Sequence, residues 1–225
     1  MTDMSDTYDE DYYLSLPAES GRIAAITRQL NLQGNEIVCE IGCAAGHFLA
    51  AIAPHIGHGT GIDTADAAIR AATHIKDKRK LQNIDFVGIS AQEYAVASDR
   101  HHQCHYVFLM DVTEHIDDEV MLEVLGASAK LLREDGQLVI HTPNLDYWLE
   151  RSKSKDIVPQ VEGHIAVRNQ AQYVRLPEKA GFEVVRHKNL PHYRQPLRLV
   201  GSILLYIPLV GRLFASRLFV VARKK

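Results

Sequence analysis

From Glu36 onward, short apolar runs alternate along the chain with segments of helical periodicity. Continuous apolar runs of this length are typical of strands buried on both faces of a parallel sheet, and intervening helices supply the crossovers. The runs predicted as strands are residues 37–41, 60–62, 84–87, 106–110, 137–141, 182–186 and 218–222. The pattern predicts an α/β fold with a doubly wound, mostly parallel seven-stranded sheet and helices on both of its faces.

Helical periodicity is expected at residues 46–53, 65–75, 119–132 and 170–180. Pro177 falls inside the last of these helices, where an interior proline should kink or shorten it. The dipeptide Asp135-Gly136 predicts the turn into the fifth strand, and Gly181 is expected to end the helix before the sixth.

A chain of 225 residues is long enough for one large α/β domain. We therefore expect a single domain, residues 1–225, with residues 1–30 as an N-terminal helix or gate. Residues 148–165 and 189–216 fit no strand position, and the second segment is an insertion near the C-terminus. Both are expected to form lids over the carboxyl ends of the strands, where doubly wound sheets bind ligands.

Charge is distributed unevenly along the chain. With 28 Asp and Glu against 25 Lys and Arg, the net charge of -3 argues against a nucleic-acid partner. Six acidic residues and no basic ones lie in residues 1–20, whereas nine of the basic residues and none of the acidic ones follow Glu183. The N-terminus lacks the basic and apolar regions of a signal peptide, and three cysteines without framework spacing fit a reducing compartment, so a cytoplasmic location is expected.

The turn after the first strand is rich in small residues. Glu40 ends that strand, and Gly42 to Gly46 permit close approach of the backbone to a ligand. Asp63 ends the next strand, where its two oxygens can accept hydrogen bonds from both hydroxyls of a ribose, which indicates a nucleoside ligand. The glycine pattern of nicotinamide dinucleotide sites fails at two of its three positions, which hold Ala44 and His47.

The segment 40–46, Glu-Ile-Gly-Cys-Ala-Ala-Gly, resembles the acidic-x-Gly-Cys-Gly-x-Gly motif of class I S-adenosylmethionine-dependent methyltransferases, with Ala44 where a glycine is usual. Alanine fits there if its φ is negative. Residues 88–93 are similar to that family's adenine loop, with Ser90 where an acid is usual. The resemblance implies a Rossmann-like fold and S-adenosylmethionine as the cofactor. The cofactor-binding residues that it implies are Glu40, Gly42, Cys43, Gly46, Asp63, Ser90, Ala91 and Asp111.

The segment after the fourth strand carries the candidate reaction chemistry. Asp111, Glu114 and His115 are spaced i, i+3 and i+4, which gathers them on one face if a helical turn begins there. A similar run in ubiquinone-type O-methyltransferases is associated with a divalent metal, and this resemblance makes the three residues weak candidates for Mg²⁺. The alternatives are that Glu114 and His115 hold the loop, or that His115 is a general base. The catalytic candidates are His115, Glu114 and His141, with Asn144 and His164 beside the acceptor.

The function that the resemblance implies is methyl transfer to a small-molecule or lipid-linked acceptor, through O-methylation of a glycan, a glycolipid or a quinone-like compound. Two alternatives stay open: a catalytically silent binding protein that keeps the fold, and a nicotinamide-dependent oxidoreductase.

Residues 199–211 form an uncharged apolar run between Arg198 and Arg212. The run is shorter than the roughly 20 residues of a spanning helix. It predicts peripheral membrane contact through residues 197–216, at the inner face of the membrane. Packing onto the protein's own core and a dimer contact are the alternatives, and the oligomeric state is left open.

Overall fold

The computed structural model describes residues 8–18, 20–97, 102–193, 197–205, 207 and 210–225. Residues 1–7 and 19 of the expected gate lie outside this description, as do residues 194–196, 206, 208 and 209 of the expected second lid.

The strands form one seven-stranded sheet in the order β3-β2-β1-β4-β5-β7-β6. The strands are Ile37–Ile41 (β1), His58–Asp63 (β2), Ile84–Gly88 (β3), Cys104–Met110 (β4), Leu132–Pro143 (β5), Phe182–Leu190 (β6) and Arg217–Lys224 (β7). β1 pairs in parallel with β2 and β4, β2 pairs in parallel with β3, and β6 pairs antiparallel with β7. The strand order reverses between β1 and β4, and such a switch point is where doubly wound sheets bind their ligands. The prediction of a mostly parallel seven-stranded α/β sheet is confirmed.

Helices connect the strands. They are Glu10–Ser15 (α1), Ser20–Thr27 (α2), His47–Ile52 (α3), Asp66–Lys78 (α4), Ala91–Ala97 (α5), Asp118–Leu131 (α6), Trp148–Lys153 (α7), Gln170–Lys179 (α8) and Leu197–Leu204 (α9). Apolar residues at helical spacing explain α4. The buried residues at this spacing are Ala68, Ala71, Ala72 and Ile75. None of the helices among the described residues is long and apolar enough to cross a membrane.

Three local predictions are corrected by the structure. Asp135 and Gly136 lie inside β5 and form no turn before it. A side chain at position 136 would meet the Cys104 carbonyl oxygen at 2.7 Å, so the glycine marks a close approach of two backbones. α8 continues through Pro177 to Lys179, because an Asn169–Gln172 capping box starts it and its Tyr173 and Leu176 are buried. The second lid was expected from residue 189, but β6 extends to Leu190.

Contacts divide the described residues into two compact units. The first consists of residues from 1–110 with 126–138, and the second of 111–125 with 139–225. Each unit has a fully buried apolar core, with Leu49, Ile62 and Phe108 in the first and Tyr173 and Phe219 in the second.

Candidate functional site

The turn between β1 and α3 is built from left-handed backbone at alternate positions. Gly42, Ala44 and Gly46 have φ values of 71°, 46° and 67°. A side chain at Gly46 would also meet the Phe86 ring, with Cε1 at 2.6 Å, so this position requires glycine for space as well as for conformation. Ala44 has a positive φ, which contradicts the condition under which an alanine was expected to fit without strain.

Asp63 at the end of β2 closes this turn. Its Oδ2 accepts a hydrogen bond from the Ala44 N–H at 2.9 Å, and its Oδ1 accepts one from the Ala65 N–H at 3.0 Å. A carboxylate has about four acceptor positions. Asp63 therefore fixes the turn and keeps capacity for the two ribose hydroxyls that the sequence assigned to it.

Glu40 is fully buried beside the same turn. Among the described residues, its Oε2 has no hydrogen-bond partner. Burial raises the pKa of Glu40 to about 8, against the opposing effect of Arg22. A buried acid with an unsatisfied oxygen is costly unless a further polar group is bound there. This oxygen, the open positions on Asp63 and the left-handed turn fit an adenosyl ligand with hydroxyl and amino groups.

The N-terminal helix α1 lies against this turn within the first unit. The His47 Nε2 is 3.1 Å from the Leu16 carbonyl oxygen. Tyr13 is partly buried, and its burial, followed by the charge of Asp63, raises its pKa to about 12. Tyr8 stacks on Tyr12 with centroids 4.1 Å apart, and Tyr12 meets Tyr13 edge-on at 5.4 Å. The gate expected from residues 1–30 stays a prediction.

Ser90 and Ala91 begin α5, where the structure gives the serine a local partner. The Ser90 N–H donates to the Glu93 carboxylate at 3.2 Å, and the Ser90 hydroxyl accepts from the Glu93 N–H at 3.2 Å. This reciprocal arrangement is a helix capping box. The Ile89 N–H donates to the Asp63 carbonyl oxygen at 2.9 Å, which ties this loop to the end of β2.

Cys43 is buried, and burial raises the pKa of its thiol, so it packs as an apolar group.

In the second unit, Asp111 lies next to His141 and does not begin a helical turn. Asp111 has a φ of 56°, and the 3₁₀ turn that follows covers only Thr113–His115. The expectation that Asp111, Glu114 and His115 share a helical face is therefore wrong. Asp111 Oδ1 lies 3.1 Å from the Nδ1 of His141, which is fully buried. On its other side, the His141 Nε2 lies 2.6 Å from the Tyr193 hydroxyl.

Glu114 and His115 converge instead with His164. One ligand atom from each of the three lies within 4.8 Å of the others. Burial raises the pKa of Glu114 well above its usual range, and the negative charge of Asp111 adds to this shift. Mg²⁺ prefers several oxygen ligands, and a metal ligand must lose its proton. Two imidazoles and a single carboxyl offer fewer oxygen ligands than Mg²⁺ prefers.

His115 has a defined tautomer. Its Nδ1 lies 2.9 Å from the Gly163 carbonyl oxygen, which can only accept, so Nδ1 carries the proton and Nε2 keeps a lone pair. Burial lowers the pKa of His115 below 6.5, although the Gly163 hydrogen bond and Asp111 oppose the shift. Burial, with a smaller effect of His115, lowers the pKa of His164 to about 4. Both rings are neutral at neutral pH.

Arg168 holds the loop that carries these groups, and sequence reasoning missed it. It is 2% exposed, and it donates to the Asp118 carboxylate at 2.7 Å and to the carbonyl oxygens of Thr113 and Ile116 at 2.6 and 2.9 Å. Tyr193 and Tyr173 were also missed. Tyr173 lies 2.8 Å from the Thr113 hydroxyl and 3.0 Å from that of Thr142. No local motif marks these residues, because the contacts described here join residues 31 to 60 positions apart.

Comparisons with known proteins identify the family and the fold. A family model that describes a methyltransferase domain matches residues 17–187. The tRNA/tmRNA (uracil-C(5))-methyltransferase of Shewanella amazonensis is 26% identical over 107 residues, which are 42% of this chain and 29% of that protein. The ubiquinone biosynthesis O-methyltransferase of Nitrosospira multiformis is 27% identical over 124 residues, 55% of this chain and 49% of that protein. The chain thus spans less than half the length of these two relatives. The crystal structure of a SAM dependent methyltransferase from Archaeoglobus fulgidus superposes with a TM-score of 0.68 at 18% identity, covering 92% of this chain and 94% of that one, and shows the same fold.

Proposed function

Because this chain belongs to the methyltransferase domain family, whose model matches residues 17–187, we propose that it is an S-adenosylmethionine-dependent methyltransferase of class I. The observation that carries the proposal is the left-handed turn 42–46, tied by Ala44 to Asp63 beside the buried Glu40. Three independent features of an adenosyl site coincide there.

In the first unit, we assign to residues of this chain the binding and orientation of the cofactor. Asp63 accepts from the ribose hydroxyls, the backbone of Gly42 to Gly46 lies against the ligand, and Glu40 offers its unsatisfied oxygen to a polar group. Tyr13 covers the turn and excludes water. Ser90 and Ala91 are the other residues proposed in the first unit, and the role of Asp111, which belongs to the second unit, stays a prediction. When bound, the cofactor supplies an electrophilic methyl group, so the protein's main task is positioning.

For the acceptor site, in the second unit, we assign His115 as the general base. As the acceptor oxygen takes the methyl group, its proton passes to the lone pair of His115 Nε2. We assign the positioning of the hydroxyl to Glu114 and His164, each of which has one ligand atom within 4.8 Å of a ring nitrogen of His115. The His141 Nε2 lies 2.6 Å from the Tyr193 hydroxyl, so we assign His141 as a positioning residue for that tyrosine. No step requires a metal.

The proposed acceptor is a hydroxyl of a glycan, a glycolipid or a quinone-like compound. Of the two curated relatives, one is named for O-methylation in ubiquinone biosynthesis and one for methylation of uracil in RNA. Because the net charge of the chain is -3, the proposal follows the oxygen acceptor and not the RNA.

The test is calorimetric titration of the purified protein with S-adenosylmethionine, S-adenosylhomocysteine and NAD. Both adenosyl ligands should bind, and Asp63→Ala should weaken both by about 100-fold, since charge-assisted hydrogen bonds contribute about 1.5–3 kcal/mol each. Asp77→Ala, at an exposed position of α4, is the matched control and should bind as the wild type does.

Two results would overturn the proposal. If neither adenosyl ligand binds to folded protein, the chain is a silent member of the family. If only NAD binds, it is an oxidoreductase. Far-UV circular dichroism of Asp63→Ala distinguishes a lost ligand contact from a lost fold, because Asp63 also holds Ala44 and Ala65.

A further inference from the structure

The helix α9 and the residues after it display an exposed apolar surface in the second unit. Leu199 and Ile203 are 62% and 63% exposed. Leu197 and Val200 on the same helix, and Ile207 and Val210 beyond it, are also exposed, and we call these six residues the α9 surface. At 100° per residue, its four helical members span an arc of about 160°. Such a face is a liability in water unless it has a partner.

The opposite side of α9 packs against the protein, so the α9 surface faces outward. Gly201 is buried, and a Cβ there would lie 3.3 Å from Pro191 and 3.6 Å from the Phe214 carbonyl oxygen. The 3₁₀ turn Gly211–Phe214 packs on α9. A Cβ at Gly211 would meet the Leu205 carbonyl carbon at 2.9 Å. The helix therefore packs closely through Gly201, and its aliphatic side chains are left outside.

Positive charge frames the α9 surface. Arg198 begins the helix and Arg212 lies in the turn packed against its end, and both are exposed. Within the described part of the chain, neither arginine forms a salt bridge. No Asp or Glu follows Glu183, whereas nine Lys and Arg do. Since the whole chain carries -3, the remainder is strongly acidic.

We propose that the α9 surface docks on an anionic phospholipid bilayer, with its leucine, valine and isoleucine side chains in the interface and Arg198 and Arg212 on the lipid phosphates. An aliphatic face bordered by arginines is the composition of a helix that lies in the plane of a membrane surface. The acidic remainder is repelled by the same surface, which orients the molecule on it. A second copy of the chain is disfavoured, because a two-fold contact would bring Arg198 and Arg212 of both copies together.

The experiment is sedimentation of the full chain with vesicles of phosphatidylcholine, with and without phosphatidylglycerol, at low and high salt. The wild type should sediment with the anionic vesicles and much less with the neutral ones. The double variant Leu199→Gln/Ile203→Gln should bind at least about tenfold more weakly, because two large aliphatic side chains no longer enter the interface. Arg198→Gln and Arg212→Gln should each lose about fivefold and reduce the salt dependence.

Val96→Gln is the matched control, since Val96 is 71% exposed on α5 and is not part of the α9 surface. It should bind as the wild type does. The proposal fails if the wild type stays in the supernatant with anionic vesicles, or if the double variant binds unchanged. It also fails if sedimentation velocity without lipid shows a dimer that the double variant dissociates. The assay needs no methyl donor, so its outcome is independent of the proposed activity.

Discussion

In the second unit, the role of His115 depends on which of its two ring nitrogens carries a proton. His115 donates from Nδ1 to the Gly163 carbonyl oxygen, which leaves Nε2 as a base. The charged and titratable groups around it are Asp111, Glu114 and His164. Burial outweighs the attraction of Asp111, so the neutral ring is favoured.

We predict that His115 is neutral at pH 7, protonated at Nδ1, and that it titrates below 6.5. Histidine ring ¹⁵N shifts followed from acid to neutral pH measure both properties, and His115→Gln assigns the signals. Asp111→Asn should lower the midpoint further, because it removes a charge that favours the imidazolium form. A ring that titrates above 6.5, or one protonated at Nε2, contradicts the role of general base.

At the scale of an element, the β1–α3 turn contains the clearest local strain. Ala44 occupies left-handed backbone at φ 46°, where an L-residue with a Cβ costs about 1 kcal/mol or more. The turn keeps this conformation because Gly42 and Gly46 flank it and Asp63 binds the Ala44 N–H. Strain at a binding element is tolerated when the surrounding contacts determine it.

Ala44→Gly should therefore raise the free energy of unfolding by about 0.5–1 kcal/mol, since relief of strain exceeds the added freedom of the unfolded chain. The neighbouring Ala45 is buried and its φ is not positive, so Ala45→Gly should lower stability by about 1 kcal/mol. Urea unfolding of the two variants against the wild type measures the difference. A less stable Ala44→Gly would show that the alanine is not strained there.

For the whole molecule, two buried carboxyl groups set the dependence of stability on pH. Burial raises the pKa of Glu40 to about 8 from 4.5, and shifts that of Glu114 in the same direction. The folded protein thus binds more protons than the unfolded chain above pH 4.5. The stabilisation is fully present below the unfolded value and is lost as the pH rises through the folded value.

Between pH 4.5 and 6.5 the lowered pKa values of His47, His115 and His164 act in the opposite direction, so we expect the decline between about pH 6.5 and 8, where these rings are neutral in both states. There the free energy of unfolding of the ligand-free protein should fall by about 1.4 kcal/mol per pH unit for each of the two carboxyl groups. Glu40→Gln and Glu114→Gln should each flatten this decline, and their combination should flatten it most. Glu178→Gln, exposed on α8, should leave it unchanged. Urea midpoints measured across this range are the readout, and a stability that rises with pH in the wild type and falls in the double variant would refute the account.

The sequence by itself determined the order of strands and helices, the cofactor turn and its acids. These features are local, since apolar runs set β1 to β4 almost to the residue, and small residues followed by an acid mark the turn between Ile41 and His47. The family resemblance carried by residues 40–46 is confirmed by the match over residues 17–187. The roles of individual side chains in the site stay predictions.

Only the tertiary structure decided the partners of the reacting groups. Asp111 turned to His141 because its backbone is left-handed, which removed it from the face of Glu114 and His115. Arg168 and Tyr193 joined the site from segments far along the chain, where no spacing rule applies. The sequence placed His164 beside the acceptor, but only the structure brought it together with Glu114 and His115. The strain at Ala44 and the continuity of α8 through Pro177 were likewise set by surrounding contacts. Local patterns fix which elements form, whereas pairings between distant segments depend on how those elements pack.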